Sequence, residues 1–523
     1  MPGRAICKWY LGNMIFGTSL VLAVLVGPIR CDSKTVTVFE KVAHLEKLVQ
    51  ANKDTLHRLD GQAQQPRPRR LDEIELATEE MMTDLKTAMS QCWNVLTGAL
   101  VMFMQAGFAL LTAGVCRVKN VQSVLLKNIT DVVVGTIGWY TIGFMFAYGD
   151  VDKYAGNQNA FGVGFASADP ITGNQTPQGY GAHWFFQWAF CGAAATIVSG
   201  GVMERVQFPA YCLYSLLMSA FIYPAVVGWT WGGGWLAGGE DGHINSVGYM
   251  DFAGSGIVHL VGGVGALVGA IVAGPREGRW DNEDDFIPHS TPLLVLGTFF
   301  LWFGWYGFNC GSTLTMEDTA TGLLASHVAM TTTIGAASGG LVCFGIQYAL
   351  IRKYDIGAFC NGILVGLVSI TAPCATVETG SAVAIGAIGA VLYTITSNGL
   401  KKIKIDDPMD AFAVHGVGGA WGVLAAALFD YGKGFDHVNG WSYWSCMTDE
   451  TTGNCREGIW GQLLAANLAQ ILAVTIWTAV TSTIIFVPLK LLGFLRSDVN
   501  LQASGADAKK HSPSKGYSIP AIK

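Results

Sequence analysis

Apolar segments long enough to cross a bilayer recur along the chain from about residue 92 to residue 490. Polar, glycine-rich or charged loops separate them, so the pattern predicts an all-α polytopic membrane protein with eleven transmembrane helices. The predicted segments are 92–116, 128–149, 182–203, 208–229, 252–274, 291–310, 322–351, 356–373, 380–398, 409–429 and 459–490.

The residues before these segments predict two further regions. Arg4 and Lys8 precede an apolar core, Met14–Val26, that is short for a membrane span, which is typical of a signal peptide over residues 1–31 cleaved near Cys31. An uncleaved signal anchor is the alternative. Residues 32–90 are polar and are interpreted as an extracellular coiled-coil and linker region, followed by a membrane domain over 91–490.

A heptad seam suggests that the polar region self-associates. Apolar residues and one asparagine alternate spacings of four and three over residues 38–59, as in a short coiled coil. A solvated single helix or disorder would also account for so short a run. The seam positions are Val38, Val42, Leu45, Val49, Asn52, Leu56 and Leu59.

The distribution of Lys and Arg predicts the orientation. With the N-terminus outside, the inner loops hold most of the basic residues, as the positive-inside rule requires, and the tail over residues 491–523 is cytoplasmic. The outer loops hold only Lys153, Lys433 and Arg456. The inner ones hold Arg117, Lys119, Arg205, Arg276, Arg279, Arg352, Lys353, Lys401, Lys402 and Lys404.

Composition supports a membrane protein and excludes other classes. Hydrophobic residues make up 51% of the 523 residues and charged residues only 13%, too few to cover a soluble surface of this size. A net charge of −6 gives no basic excess for binding nucleic acid. The twelve cysteines form no CxxC or Cys/His cluster, so neither a metal nor another cofactor is expected.

Two outer loops carry features of an extracellular environment. Asn174 begins a glycosylation sequon, although such triplets often arise by chance. Cys446 and Cys455 share one outer loop, and an oxidising compartment would permit a disulfide between them.

Two transmembrane segments contain a histidine in the same frame. His259 and His415 both begin the pattern His-x-Val-Gly-Gly, 156 residues apart, which predicts two equivalent five-helix halves in an inverted 5+5 repeat plus one helix. Ionisable groups inside a membrane are costly and by default functional. A metal site fits poorly, because Ser255, Gly263 and their counterparts four residues from each histidine are not usual ligands. A pore lined by imidazoles fits better.

Aromatic residues cluster at the outer ends of predicted helices three, four and six, and aromatic faces attract cations. Some of them will only mark the membrane interface. The strings WGGG at 231–234, DFAGSGIVH at 251–259, GWYGFNCGS at 304–312 and AVHGVGGAWG at 413–422 resemble the ammonium transporter (Amt/MEP/Rh) family, in its Amt/MEP branch. The resemblance covers about residues 90–490.

That resemblance implies a homotrimer in the plasma membrane, with one pore in each subunit, that transports ammonium or ammonia and also methylammonium. It implies substrate-binding roles for Trp231, Ser312, Phe190 and Asp251, with Asp251 supporting the site or capping a helix. Phe190 and Phe308 match a phenyl gate. The pore residues would be His259 and His415.

The expected function is therefore ammonium transport: NH4+ is recruited outside, and NH3, with a separate proton, passes the twin histidines. An ammonium sensor signalling through its tail is the alternative. An enzyme is not expected, because no nucleophile, metal set or nucleotide motif surrounds the histidines.

Overall fold

The computed structural model describes residues 69–165, 180–238, 243–430, 459–514, 516 and 517. The chain divides into two compact units, Met1–Met82 and Thr83–Lys523. The described residues of the first unit are helical, and the second unit is a helical bundle. The predicted signal peptide, the seam over 38–59, Asn174, Cys446 and Cys455 lie outside the described residues.

The helices of the bundle follow the apolar segments of the sequence. They are α1 (Arg69–Val115), α2 (Val118–Tyr148), α3 (Tyr180–Val202), α4 (Phe208–Trp229), α5 (Ser255–Ala273), α6 (Thr291–Gly311), α7 (Thr319–Ile351), α8 (Ile356–Thr371), α9 (Thr379–Lys402), α10 (Phe412–Phe429) and α11 (Ile459–Leu491). Two short helices follow them in the tail, α12 (Val499–Ser504) and α13 (Asp507–Lys510).

The all-α prediction is confirmed for the described part of the chain, where β-pairing is limited to isolated bridges such as Val206 with Arg496. Ten of these helices are long and apolar enough to cross a membrane, and α8 is apolar but has only 16 residues. Helix α1 begins well before the predicted start at residue 92. The intervening residues are rich in Glu, Leu and Met, which are strong helix formers, so the helix continues through sequence that is not apolar.

Helices α5 and α10 both begin with a wide, π-helical turn. These turns span Ser255–Leu260 and Phe412–Val417, and each contains one of the predicted pore histidines, His259 or His415. Single π-turns inside α-helices are rare and are frequent at functional sites. The two histidines therefore share a local backbone geometry as well as a sequence pattern.

Buried ion pairs join the loops that follow α1, α3, α5 and α9. Glu204 accepts from Arg117 and Arg276, both at 2.6 Å, and Arg276 also pairs with Asp406 at 2.9 Å. Burial alone would raise the pKa of Asp406, but the guanidinium of Arg276 lowers it to about 2. The pKa of Glu204 is likewise lowered, because Arg276 and Arg117 together outweigh its burial. Both carboxylates are thus held ionised.

The tail folds back onto these same loops. Asp507 accepts hydrogen bonds from the backbone N–H groups of Gln122 and Ser123, at 3.0 and 3.1 Å, near the start of α2. A carboxylate at this position also interacts favourably with the helix dipole. Arg496 donates to the carbonyl of Ala273 at the end of α5, at 2.7 Å. The tail is thereby attached to two of the bundle helices.

Candidate functional site: an aromatic cavity above a histidine pair

A cavity of about 280 Å³ lies where α4 ends and α5 begins. The structure brings four of the predicted site residues together there: Phe190, Trp231, Asp251 and Ser312 all line it. We call it the Trp231 cavity. Ser312 donates its hydroxyl hydrogen to the carbonyl of Phe308 at 2.9 Å, so its oxygen lone pairs are left to accept from a ligand.

Asp251 is a helix cap. Its carboxylate accepts from the backbone N–H groups of Gly254, Gly256 and Ile257 at 2.8–2.9 Å, and from the side-chain amide of Gln470 at 3.0 Å. Its carbonyl accepts from the indole N–H of Trp231 at 3.0 Å. Asp251 therefore orders the start of α5 and fixes the tryptophan ring, which leaves it little capacity to bind a cation directly.

The floor of the cavity is formed by two phenyl rings. The ring centroids of Phe190 and Phe308 are 4.0 Å apart, at an interplanar angle of 30°, and both side chains are fully buried. Trp231 stands edge-on to Phe190, with 5.9 Å between centroids. The paired rings separate the cavity from the groups beneath them.

His259 and His415 lie directly beneath this floor. Their Nδ1 atoms are 3.2 Å apart, and the rings stack with 5.2 Å between centroids. The His259 ring lies 5.3 Å from that of Phe308 and is stacked on Trp305 at 4.9 Å. Exposure is 0% for His259 and 7% for His415, and Nε2 of His259 has no partner among the described residues.

Glycines hold the two histidine turns at backbone contact. A Cβ built on Gly263, four residues after His259, would lie 2.5 Å from the Cα of Gly416. A Cβ built on Gly419, four residues after His415, would lie 3.0 Å from the N atom of Leu260. The position four residues after each histidine therefore meets the residue that follows the other histidine. These reciprocal contacts require glycine at both positions.

Comparisons with known proteins identify the family of the chain. Residues 92–516 match the sequence profile of the Ammonium Transporter Family. The chain belongs to the ammonium transporter family. Members of that family are transporters and not enzymes.

Among similar proteins, the chain is 38% identical to "Ammonium transporter Amt2" of Archaeoglobus fulgidus, over 80% of this chain and 86% of the relative. It is 35% identical to "Ammonium transporter 1 member 3" of Solanum lycopersicum, over 86% of this chain and 96% of the relative.

Solved structures of ammonium transporter relatives share the fold. A chain titled "Sensor Amt Protein" has a TM-score of 0.69 and 31% identity, covering 81% of this chain and 98% of that one. Mep2 of Saccharomyces cerevisiae has a TM-score of 0.66 and 27% identity, covering 79% of this chain and 88% of that one.

Sequence reasoning missed four polar residues in the Trp231 cavity of this family member: Tyr148, His183, Gln187 and Tyr249. Two of them carried a detectable signal, because His183, Gln187 and Phe190 have the i, i+4, i+7 spacing of one helical face. Tyr148 had none, since it comes from the end of a different helix, α2.

Proposed function

We propose that this chain is a transmembrane ammonium transporter that recruits NH4+ in the Trp231 cavity and conducts NH3, with a separate proton, past His259 and His415. The observation that carries the proposal is the vertical order of the site. An aromatic cavity with a free hydroxyl acceptor is followed by a closed phenyl pair, and an unsolvated imidazole pair follows that.

The cavity suits a small monovalent cation. The face of an indole attracts a cation by about 0.5–2 kcal/mol, depending on how far the ion is desolvated. The Ser312 oxygen can accept a hydrogen bond from an N–H group, and the Asp251 carboxylate is already saturated by its own helix. The site therefore attracts ammonium without presenting a free anionic charge that would trap it.

The phenyl pair and the histidines favour a neutral species. An intact ion between fully buried apolar groups would lose its hydration without compensation, which costs far more than the transfer of a neutral polar molecule. NH4+ can transfer a proton to a water molecule in the Trp231 cavity, beside Phe190 and Phe308, which leaves NH3. The NH3 can then exchange hydrogen bonds with the two imidazoles. Potassium has no proton to release and should be excluded.

The test is the current evoked by an ammonium pulse across proteoliposomes that contain the purified protein. A saturable current that potassium does not evoke is expected. Comparable flux with potassium would overturn the mechanism. Absence of current, with an internal pH change reported by an entrapped dye, would replace charge transport with electroneutral passage of NH3.

We extend the proposal to topology and assembly. The short helix α8 counts as a crossing, which gives eleven spans, an inverted 5+5 repeat plus one helix, an external N-terminus and a cytoplasmic tail. The reciprocal glycine contacts around the histidines support the repeat. We further propose a homotrimer in the plasma membrane. Cross-linking in native membranes that yields only monomers would refute the trimer.

An ammonium sensor is the second candidate. It is favoured by the likeness to the chain titled "Sensor Amt Protein" and by the attachment of the tail to the bundle through Asp507 and Arg496. Ammonium binding without flux of any kind in the proteoliposomes would favour sensing over transport.

A further inference from the structure

The Trp231 cavity has a polar wall as well as the aromatic one that contains Trp231. The amide oxygen of Gln187 and the hydroxyl of Tyr148 are both buried without a hydrogen-bond partner among the described residues. Gln187 is only 4% exposed. Buried polar atoms without partners are rare and costly, so their occurrence in a cavity indicates a hydrogen-bonding ligand.

His183 completes this wall. It lies one helical turn before Gln187 on the same face of α3, and it lines the cavity with Gln187 and Tyr148. Its ring stands edge-on to Tyr148, with 4.6 Å between centroids at an angle of 77°, and edge-on to Phe144 at 6.0 Å. These contacts orient the ring, and no described residue forms a hydrogen bond with either of its nitrogens.

We infer that His183 is the proton-sensitive residue of the outer cavity, whose neutral imidazole accepts a hydrogen bond from the ammonium ion and whose protonation excludes that ion. The inference rests on the proposed function. A neutral imidazole offers one acceptor nitrogen, whereas the imidazolium has two donors and a positive charge. Protonation therefore turns a favourable partner of NH4+ into a repulsive one within the same small cavity.

The other titratable groups among the described lining residues do not become positively charged in acid, so they would not repel ammonium as a protonated His183 would. Tyr148 on α2 and Tyr249 in the loop before α5 also line the cavity, and an unperturbed phenol is neutral throughout the acid range. Asp251 is the charged group that lines the cavity, and its carboxylate is bonded to the start of α5. A variant of His183 keeps Asp251, so comparison with wild type isolates the imidazole.

The experiment measures the ammonium concentration for half-maximal current in proteoliposomes, with equal pH on both sides, from roughly pH 3 to pH 8 so that an imidazole with an acid-shifted midpoint is covered. For wild type, each pH unit below the midpoint should raise this concentration about tenfold, as for exclusion by one proton. In His183→Gln the acid-dependent increase should disappear, while at pH 8 the half-saturating concentration should be a few-fold higher than in wild type.

Two further variants complete the design. His183→Lys carries a fixed positive charge and should show at pH 8 the weak affinity that wild type shows only in acid. His243→Gln, which removes another histidine from the loop before α5, should keep the wild-type profile. Size-exclusion elution confirms that each variant is folded.

The outcomes separate this inference from the proposed function. If His183→Gln conducts ammonium and retains the wild-type acid inhibition, or if wild type shows no acid inhibition, the inference is overturned while transport stands. If wild type itself carries no ammonium-specific flux, the proposed function fails first. If His183→Gln has the wild-type half-saturating concentration at pH 8, Gln187 alone provides the acceptor, which also overturns the inference.

Discussion

The tightest contact in the candidate pore is the crossing of α5 and α10 at Gly263, and a single methyl group there should disable transport. A Cβ at this position would lie 2.5 Å from the Cα of Gly416 and 2.9 Å from the carbonyl carbon of His415, where ordinary contacts begin at 3.4 Å. All of these neighbours are backbone atoms, so no side chain can rotate away. The amide N of Gly416 lies closer still. In Gly263→Ala the two helices must therefore separate by at least about 0.9 Å, the difference between 3.4 and 2.5 Å.

That separation acts directly on the histidines. An equal displacement would lengthen the Nδ1–Nδ1 distance between His259 and His415 from 3.2 Å to about 4.1 Å, beyond hydrogen-bonding range. The cost comprises about 1–3 kcal/mol for overpacking and about 1–3 kcal/mol for polar atoms left unpaired in an apolar interior. If only 1.4 kcal/mol of this is felt in the transport barrier, the rate falls about tenfold.

The assay is the initial ammonium current per folded protein, compared with Gly345→Ala as the matched control. Gly345 lies in α7, and a Cβ there meets nothing within 4 Å, so its alanine should leave the rate unchanged and stabilise the helix by about 0.5–1 kcal/mol. Gly419→Ala should behave like Gly263→Ala. If Gly263→Ala transports at the wild-type rate while remaining folded, the hydrogen-bonded pair is not required for conduction.

Three further predictions follow from other contacts. Trp231→Leu removes the cation–π contact and should raise the half-saturating ammonium concentration about 3- to 30-fold. Trp235→Leu should not raise it, because the Trp235 ring packs against Trp229 and does not line the cavity; equal values for the two variants would exclude Trp231 from the site. Asp251→Ala leaves three backbone N–H groups without their acceptor and should lower thermal stability by about 1–2 kcal/mol and abolish saturable current, while an unaltered melting curve would contradict the capping role. Asp406→Asn should lower the free energy of unfolding by about 3 kcal/mol at pH 7, because Arg276 loses one of its two buried counter-ions and keeps only Glu204. The folded pKa of Asp406, about 2, lies below its ordinary 3.8, so the stability that its ionised form contributes is present above about pH 4 and is lost as the pH falls to about 2. The difference in free energy of unfolding between wild type and Asp406→Asn should therefore narrow by about 2 kcal/mol over that range. A difference that stays constant would refute the assignment.

The features that the sequence predicts are those that depend on the lipid solvent. Hydropathy marks the helices because an apolar span of the required length is needed for each crossing. His259 and His415 stand out because ionisable groups are costly in such spans, and the shared His-x-Val-Gly-Gly pattern pairs them. Their π-turns and the 3.2 Å contact are not predictable, since both depend on how α5 and α10 cross.

Contacts formed by several helices and loops together are also not predictable from the sequence. The loop charges of Arg117 and Arg276 fit a rule about membrane orientation, but their burial against Glu204 and Asp406 is a tertiary property. In the same way, Gln470 of α11 completes the shell of Asp251 from more than 200 residues away. Periodicity along one segment carries no information about such partners.

The Nδ1–Nδ1 contact between the histidines has a consequence for the order of events in the pore. A single proton can occupy the line between two Nδ1 atoms, so one ring must donate while the other accepts, although the glycine contacts around them are reciprocal. The far nitrogens are then unlike, one a bare lone pair and the other an N–H. A proton relayed through both rings leaves this polarity reversed, and the pair must reset before it can relay another in the same direction. A neutral NH3 molecule that passes the pair leaves the donor and acceptor rings as they were. Only proton transfer through the two rings therefore changes the hydrogen-bonding state of the pair.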